Sequence, residues 1–133
     1  MKELSPQEVT IMQIVWNAED DFMTAREIES AMHSLDGKER NISSLMTVLG
    51  KLADKGYLNP VKVFRKPTRY IPLIAEAEYK AFATEKFMDK VHNGEFSSFL
   101  SALVERKGYT KQEISEMREM LEGWWGKDAV NND

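Results

Sequence analysis

Three times the chain places a hydroxyl residue three positions ahead of a glutamate: Ser5-Pro6-Gln7-Glu8, Thr24-Ala25-Arg26-Glu27 and Thr110-Lys111-Gln112-Glu113. In such a capping box the hydroxyl accepts from a backbone N–H inside the first turn, and the glutamate accepts from the N–H of the cap itself. Two donors that a helix start would leave orphaned are satisfied together. Each box therefore fixes where a helix begins, and Pro6 at the first helical position reinforces the first. A chain marked in this way is expected to be mainly helical.

Apolar spacing fills in the elements. Val9, Met12, Val15 and Trp16 form a stripe at intervals of three and four, ending near Asn17. Ala25, Ile28 and Met32 make the inner face of a second, short helix through about His33, followed by a polar loop from Ser34 to Arg40. Ile42, Leu45, Val48, Leu49 and Leu52 predict a third helix over about 42–55, with Gly56 just past its end. Its other face reads Ser43, Met46, Thr47, Gly50, Lys51 and Asp54. Gly50 costs a helix interior about 1 kcal/mol relative to Ala, which close approach by a backbone or a ligand would explain.

The stretch YLNPVKVFRKPTRYIP, residues 57–72, has a different character. Val61, Val63 and Phe64 favour a strand, Lys66-Pro67-Thr68 is turn chemistry, and Arg69-Tyr70-Ile71 can pair back, with Pro72 confining that strand to an edge or an end. The reading is a β-hairpin over 61–71 with a basic tip. Beyond Leu73 three more helices follow: Glu76 to about His92, ended by Asn93-Gly94; Phe96 to about Arg106; and the helix opened by Thr110, carrying Ile114, Met117, Leu121, Trp124 and Trp125. The expected organisation is a winged helix-turn-helix domain of three helices plus hairpin over 1–73, a three-helix domain over 74–125, and a flexible tail over 126–133. Three small helices bury little alone, so the second domain is expected to pair with a second copy, through Phe82, Phe87, Phe96, Phe99, Leu100, Leu103, Met117, Leu121 and Trp124.

Charge is where composition bears on function. The 133 residues carry 18 Lys+Arg against 22 Asp+Glu, a net −4. Yet Lys38, Arg40, Lys51, Lys55, Lys62, Arg65, Lys66 and Arg69 face only Glu39 and Asp54 between them, which leaves that stretch at +6. Segregation of this kind marks a face for a polyanion. A third helix with a small, polar outer face, followed by a basic hairpin, is the plan by which a helix enters the major groove while the hairpin lies on the neighbouring backbone. Ser43, Ser44, Met46, Thr47 and Lys51 are then base-facing candidates, and Arg40, Lys62, Arg65, Lys66 and Arg69 phosphate candidates. Blander roles stand beside these: Ser43 and Ser44 as first-turn residues serving backbone N–H groups, Lys51 and Lys55 as complements of the helix dipole, Met46 as core filler. Two rival readings remain: a winged-helix module gripping an acidic protein partner, and a small-molecule sensor using Trp124 or Trp125.

Other chemistry has little footing. Cysteine is absent, so disulfides and thiolate metal sites are excluded. His33 and His92 lie far apart with no HExxH-like spacing, and no P-loop, GxGxxG or GxSxG occurs. Neither a metal, nor a cofactor, nor catalysis is expected. No run approaches 18 apolar residues and the start, MKELSPQEV, lacks a signal-peptide core, so no membrane association and a cytoplasmic location are expected.

Leu4-Ser5-Pro6-Gln7-Glu8 through Ile14-Val15-Trp16, Ala25-Arg26-Glu27-Ile28, and Thr47-Val48-Leu49-Gly50-Lys51-Leu52 with Lys55-Gly56-Tyr57-Leu58 resemble the penicillinase repressor (BlaI/MecI) family. Lys90 to Ser98 and Leu103-Val104-Glu105 are similar to the family's second domain. The resemblance covers nearly the whole chain. It implies a dimeric transcriptional repressor that binds pseudo-palindromic operator DNA through an N-terminal winged helix. In the family's antibiotic-resistance members it further implies release by a regulatory protease that cuts an Asn-Phe bond. The matching positions here are Ala102-Leu103, a departure from that pair. A copper-responsive branch uses a Cys-rich tail, which this chain lacks.

Overall fold

The structure, a computed structural model, describes residues 1–128, with side chains through residue 123. Six helices and one hairpin follow in the order α1 (Pro6–Trp16), α2 (Ala25–Asp36), α3 (Ile42–Asp54), β1 (Leu58–Val61), β2 (Arg69–Pro72), α4 (Glu76–His92), α5 (Phe96–Lys107) and α6 (Lys111–Asp128). The first two capping boxes form as written. Ser5 and Glu8 exchange bonds of 3.2 and 2.8 Å, and Thr24 and Glu27 bonds of 3.3 and 2.9 Å. The Thr110–Glu113 pair does the same at 3.1 Å in both directions. α2 runs three residues past its expected end, because Gly37 takes the left-handed conformation (φ 68°) that closes a helix and shortens the loop before α3.

The chain divides into two compact units within α4. The first is Met1–Lys86, and the second begins at Phe87. The first unit holds a single core, with Ile11, Met12, Ile28, Leu49, Leu52 and Tyr57 fully buried. Ile11 belongs to that core although the stripe of Val9, Met12, Val15 and Trp16 passes it by; Val9 and Trp16 are half-buried at its margin. Tyr79, in the first half of α4, is also buried there, stacked edge-on against Tyr57 at 5.7 Å. Trp16 seals the join by donating its indole N–H to the Ile74 carbonyl at 2.8 Å.

The hairpin differs from the expected one. β1 pairs with β2 in the register Val61↔Arg69, Pro60↔Tyr70, Asn59↔Ile71 and Leu58↔Pro72. The strand thus includes Asn59 and Pro60, whereas Val63 and Phe64 fall in a loop over 62–68. A second neighbour explains how a proline enters a strand. Tyr70 exchanges both of its backbone bonds with Met23, at 2.8 and 3.1 Å, on the side away from β1. In an antiparallel ladder both groups of a residue point the same way, so Pro60↔Tyr70 is a pair without hydrogen bonds. Leu58↔Pro72, two steps on, is another. Both prolines occupy positions where no N–H is needed. β2 is therefore flanked on both sides, by Met23 and β1, and Pro72 is its last residue.

The second unit comprises the end of α4, α5 and the described part of α6. Phe87, His92, Phe96 and Phe99 cluster there with ring centroids 5.4–6.3 Å apart. α5 buries no residue fully, and Phe96, Val104, Ile114, Met120 and Leu121 are each about half exposed. α6 continues to Asp128, past the expected end near residue 125, and residues 129–133 of the expected tail lie outside the described residues.

Candidate nucleic-acid interface

α3 packs Leu45, Leu49 and Leu52 inward, and its turn frequency carries Ser43, Ser44, Met46, Thr47, Gly50 and Lys51 to the exposed side. Met46 is 48% exposed, so it is not core filler. The first-turn role open to the serines is taken by Asn41, whose side-chain oxygen accepts from the N–H of Ser43 at 2.8 Å and of Ser44 at 3.3 Å. That frees both hydroxyls from capping. The Thr47 hydroxyl donates back to the Ser43 carbonyl at 3.1 Å, which occupies its proton and leaves its lone pairs to accept. A Cβ built on Gly50 meets nothing within 4 Å. The close approach that would explain a glycine there is therefore not made by this chain.

The cations separate into two groups. Arg40 is committed to the α2–α3 turn: its guanidinium forks onto both oxygens of Asp36 and also donates to the Lys38 carbonyl at 3.3 Å. The same turn has Asp36 accepting from the Lys38 N–H at 3.0 Å and His33 Nδ1 3.0 Å from the Lys38 carbonyl. The Arg40 hydrogen bonds, followed by that from Lys38, hold the Asp36 carboxyl down to about 2. The bond to the Lys38 carbonyl is the chief cause raising His33 above its ordinary value. Lys55 is also spent internally, 2.7 Å from the buried Glu8. Burial works to raise the Glu8 carboxyl, but the bonds from Lys55 and Ser5 and the Lys55 charge outweigh it and hold it below its usual value.

Lys51, Lys62, Arg65 and Lys66 are exposed and form no ion pair among the described residues. Three of these four lie in the 62–68 loop. Arg69 is half-buried at the start of β2, with its guanidinium 4.4 Å from the centre of the Phe22 ring. The sequence starts the third helix near Asn41 or Ile42 without giving Asn41 its capping bonds, and it singles out no role for Phe22. Asn41 carried a signal, an Asn ahead of an apolar-periodic run; Phe22 carried none, since its partner is far along the chain.

The residues expected at an interface between copies fall in different places. Phe82 is half-buried against the first unit's core, 6.2 Å from Tyr79. Phe96, Phe99, Leu100, Leu103, Met117 and Leu121 line one open groove of about 480 Å³ in the second unit. Phe87 is in the aromatic cluster beside it, and Trp124, like Trp125, has its side chain outside the described residues. Ala102 and Leu103 lie in the middle of α5, one exposed and the other half-buried. Among the described residues no group of His, Asp or Glu is gathered as metal ligands would be, and no helix is long and apolar enough to cross a membrane.

Three helices with an exposed third, followed by an antiparallel hairpin with a cationic loop, define a winged helix-turn-helix protein. The solved complex structure of hsRosR-S1 shares the arrangement, with a TM-score of 0.52 at 16% identity over 98% of this chain and 96% of that one. The penicillinase repressor family model matches residues 4–123, and the chain belongs to that family. It is 30% identical over 120 residues to the methicillin resistance regulatory protein MecI of Staphylococcus aureus, spanning 90% of this chain and 93% of that protein. With the penicillinase repressor of Bacillus licheniformis it shares 26% over 120 residues, 90% of each chain.

Proposed function

We propose that the protein is a homodimeric, sequence-specific transcriptional repressor in which α3 enters the major groove of operator DNA and the 62–68 loop lies on adjacent phosphates. The observation that carries this reading is the set of unpaired cations at Lys51, Lys62, Arg65 and Lys66 on the same unit as the exposed polar face of α3. Hydroxyl and ammonium groups on a helix face are what base edges hydrogen-bond, whereas exposed lysine and arginine on a hairpin loop suit the backbone charge beside the groove. Arg69, braced on Phe22, is a positioned phosphate ligand, and Arg40 serves only by exchanging Asp36 for phosphate. Membership of a family of repressors supports the same function.

The second unit supports pairing with another copy. Among the described residues no side chain of α5 is fully buried and an apolar groove stands open, which is little core for a unit of this size. A second copy covering the groove would double the DNA-binding units and match a pseudo-palindromic site.

The test is a salt titration of binding to operator and random duplexes. Lys66→Ala and Arg65→Ala should weaken binding to every sequence and lower the salt slope by about one phosphate each. Ser43→Ala and Thr47→Ala should leave the slope alone and alter the ranking of operator variants. Normal salt dependence in both loop variants would remove the phosphate assignment.

A further inference from the structure

The loop joining β1 and β2 spends its tip on a side chain that the fold does not use. Phe64 is 86% exposed, although an aromatic ring is among the largest apolar surfaces a chain can bury. The Lys66 N–H donates to the Val63 carbonyl at 3.0 Å, closing a four-residue turn whose two corner residues are Phe64 and Arg65. Arg65 holds a φ of 59° there, a conformation that turns ordinarily give to Gly or Asn. Its guanidinium lies 5.2 Å from the centre of the Phe64 ring. An unfavourable corner thus carries an arginine stacked on an exposed ring, between Lys62 and Lys66, with no acid anywhere in 62–68.

A ring among cations fits either an anionic lipid surface or a nucleic acid. The rest of the unit favours the second, because α3 exposes Ser43, Thr47 and Lys51, groups with hydrogen bonds to offer a base edge and little to gain from lipid. We propose that Phe64 is an apolar wedge that enters the minor groove beside the site read by α3 and loosens one base step, with Lys62, Arg65 and Lys66 holding the phosphates on either side. The inference rests on the reading of the chain as a DNA-binding repressor and adds a second source of selectivity to it. Pyrimidine–purine steps such as TA and CA/TG unstack most readily, so the ring would favour them at a position where no hydrogen bond reads the base.

The experiment uses the full chain and a duplex selected by it from a randomised pool. The duplex carries dyes at its ends to report bending and 2-aminopurine at successive positions to report unstacking. Wild-type protein should bend the duplex and raise 2-aminopurine emission at one flanking step. Phe64→Ala should melt at the same temperature and keep the same salt slope, yet bind roughly tenfold more weakly and lose both optical signals. Phe64→Leu should retain part of each. Lys66→Ala should reduce the salt slope while keeping the 2-aminopurine signal at saturation. A Phe64→Ala protein that binds and bends DNA as wild type does overturns the proposal. So does one whose only loss is binding to phosphatidylserine vesicles, which would make the ring a lipid anchor. Wild-type protein that binds no duplex at low salt would instead bring down the repressor reading, and the wedge with it.

Discussion

Gly50 sits on the exposed side of α3 with open space where a Cβ would go. Nothing in the fold asks for a glycine, and the helix is weaker for it by about 1 kcal/mol. Gly50→Ala should therefore raise the melting temperature by a few degrees, as seen in thermal unfolding. The same substitution should weaken operator binding if the space is kept for a DNA backbone, and the opposite signs separate a site residue from a structural one. The exposure of Ser43, Ser44, Met46, Thr47 and Lys51 was legible because helical periodicity alone decides which side of α3 faces out. The commitment of Arg40 was not. Asp36 is four residues away, but α2 was expected to end near His33, and only a helix running on to Asp36 closes the fork. Phe64 was equally hidden, since its β-propensity argued for the strand that stops at Val61.

Among elements, α1 and the C-terminal cap of α3 are joined by one ion pair across the sequence, Glu8 to Lys55, with Glu8 only 4% exposed. Because the Glu8 carboxyl is held below its ordinary 4.5, this stabilisation is complete above pH 4.5 and is lost as pH falls through the lower folded value. Lys55→Ala leaves a buried carboxylate with its capping bonds alone, and should cost about 1–2 kcal/mol in urea unfolding at pH 7. The gap from wild type should narrow as pH falls through the lowered folded value, where Glu8 takes up its proton and the ion pair is lost. Capping boxes foretold where α1, α2 and α6 begin, because a cap and its partner lie three residues apart. They could not foretell Glu8's second role, whose partner is 47 residues on. The hairpin register was illegible for the same reason: what admits Pro60 is the bond between Tyr70 and Met23, which local propensity does not contain.

For the molecule as a whole, the sequence marked a change of character after Leu73, yet the first unit reaches into α4 as far as Lys86. Tyr79 accounts for this, since its burial against Tyr57 and Trp16 ties the start of α4 to the first core. The second unit keeps its apolar groove open, and Leu100 lies within it. Leu100→Lys should convert a dimer to a monomer at micromolar concentration, measured by analytical ultracentrifugation. Affinity for a two-half-site duplex should then fall by two orders of magnitude or so, toward that for a single half-site, as linked binding predicts. A dimeric mass unchanged by the substitution would move the proposed interface to another surface, and a monomeric wild type would remove the proposed pairing.

The two prolines of the hairpin bear also on how the protein behaves when crowded. Among the described residues β1 has no strand beyond it, and an exposed strand border invites sheet growth between molecules. Pro60 points its missing N–H toward that border, so the ladder cannot be extended there even though the pairing with β2 is untouched. Pro60→Val should fold with the same hairpin and bind DNA as before, but form fibrillar or amorphous aggregate on concentration, visible as light scattering. The residue that looked least suited to a strand would then be what keeps one molecule from adding its hairpin to another's.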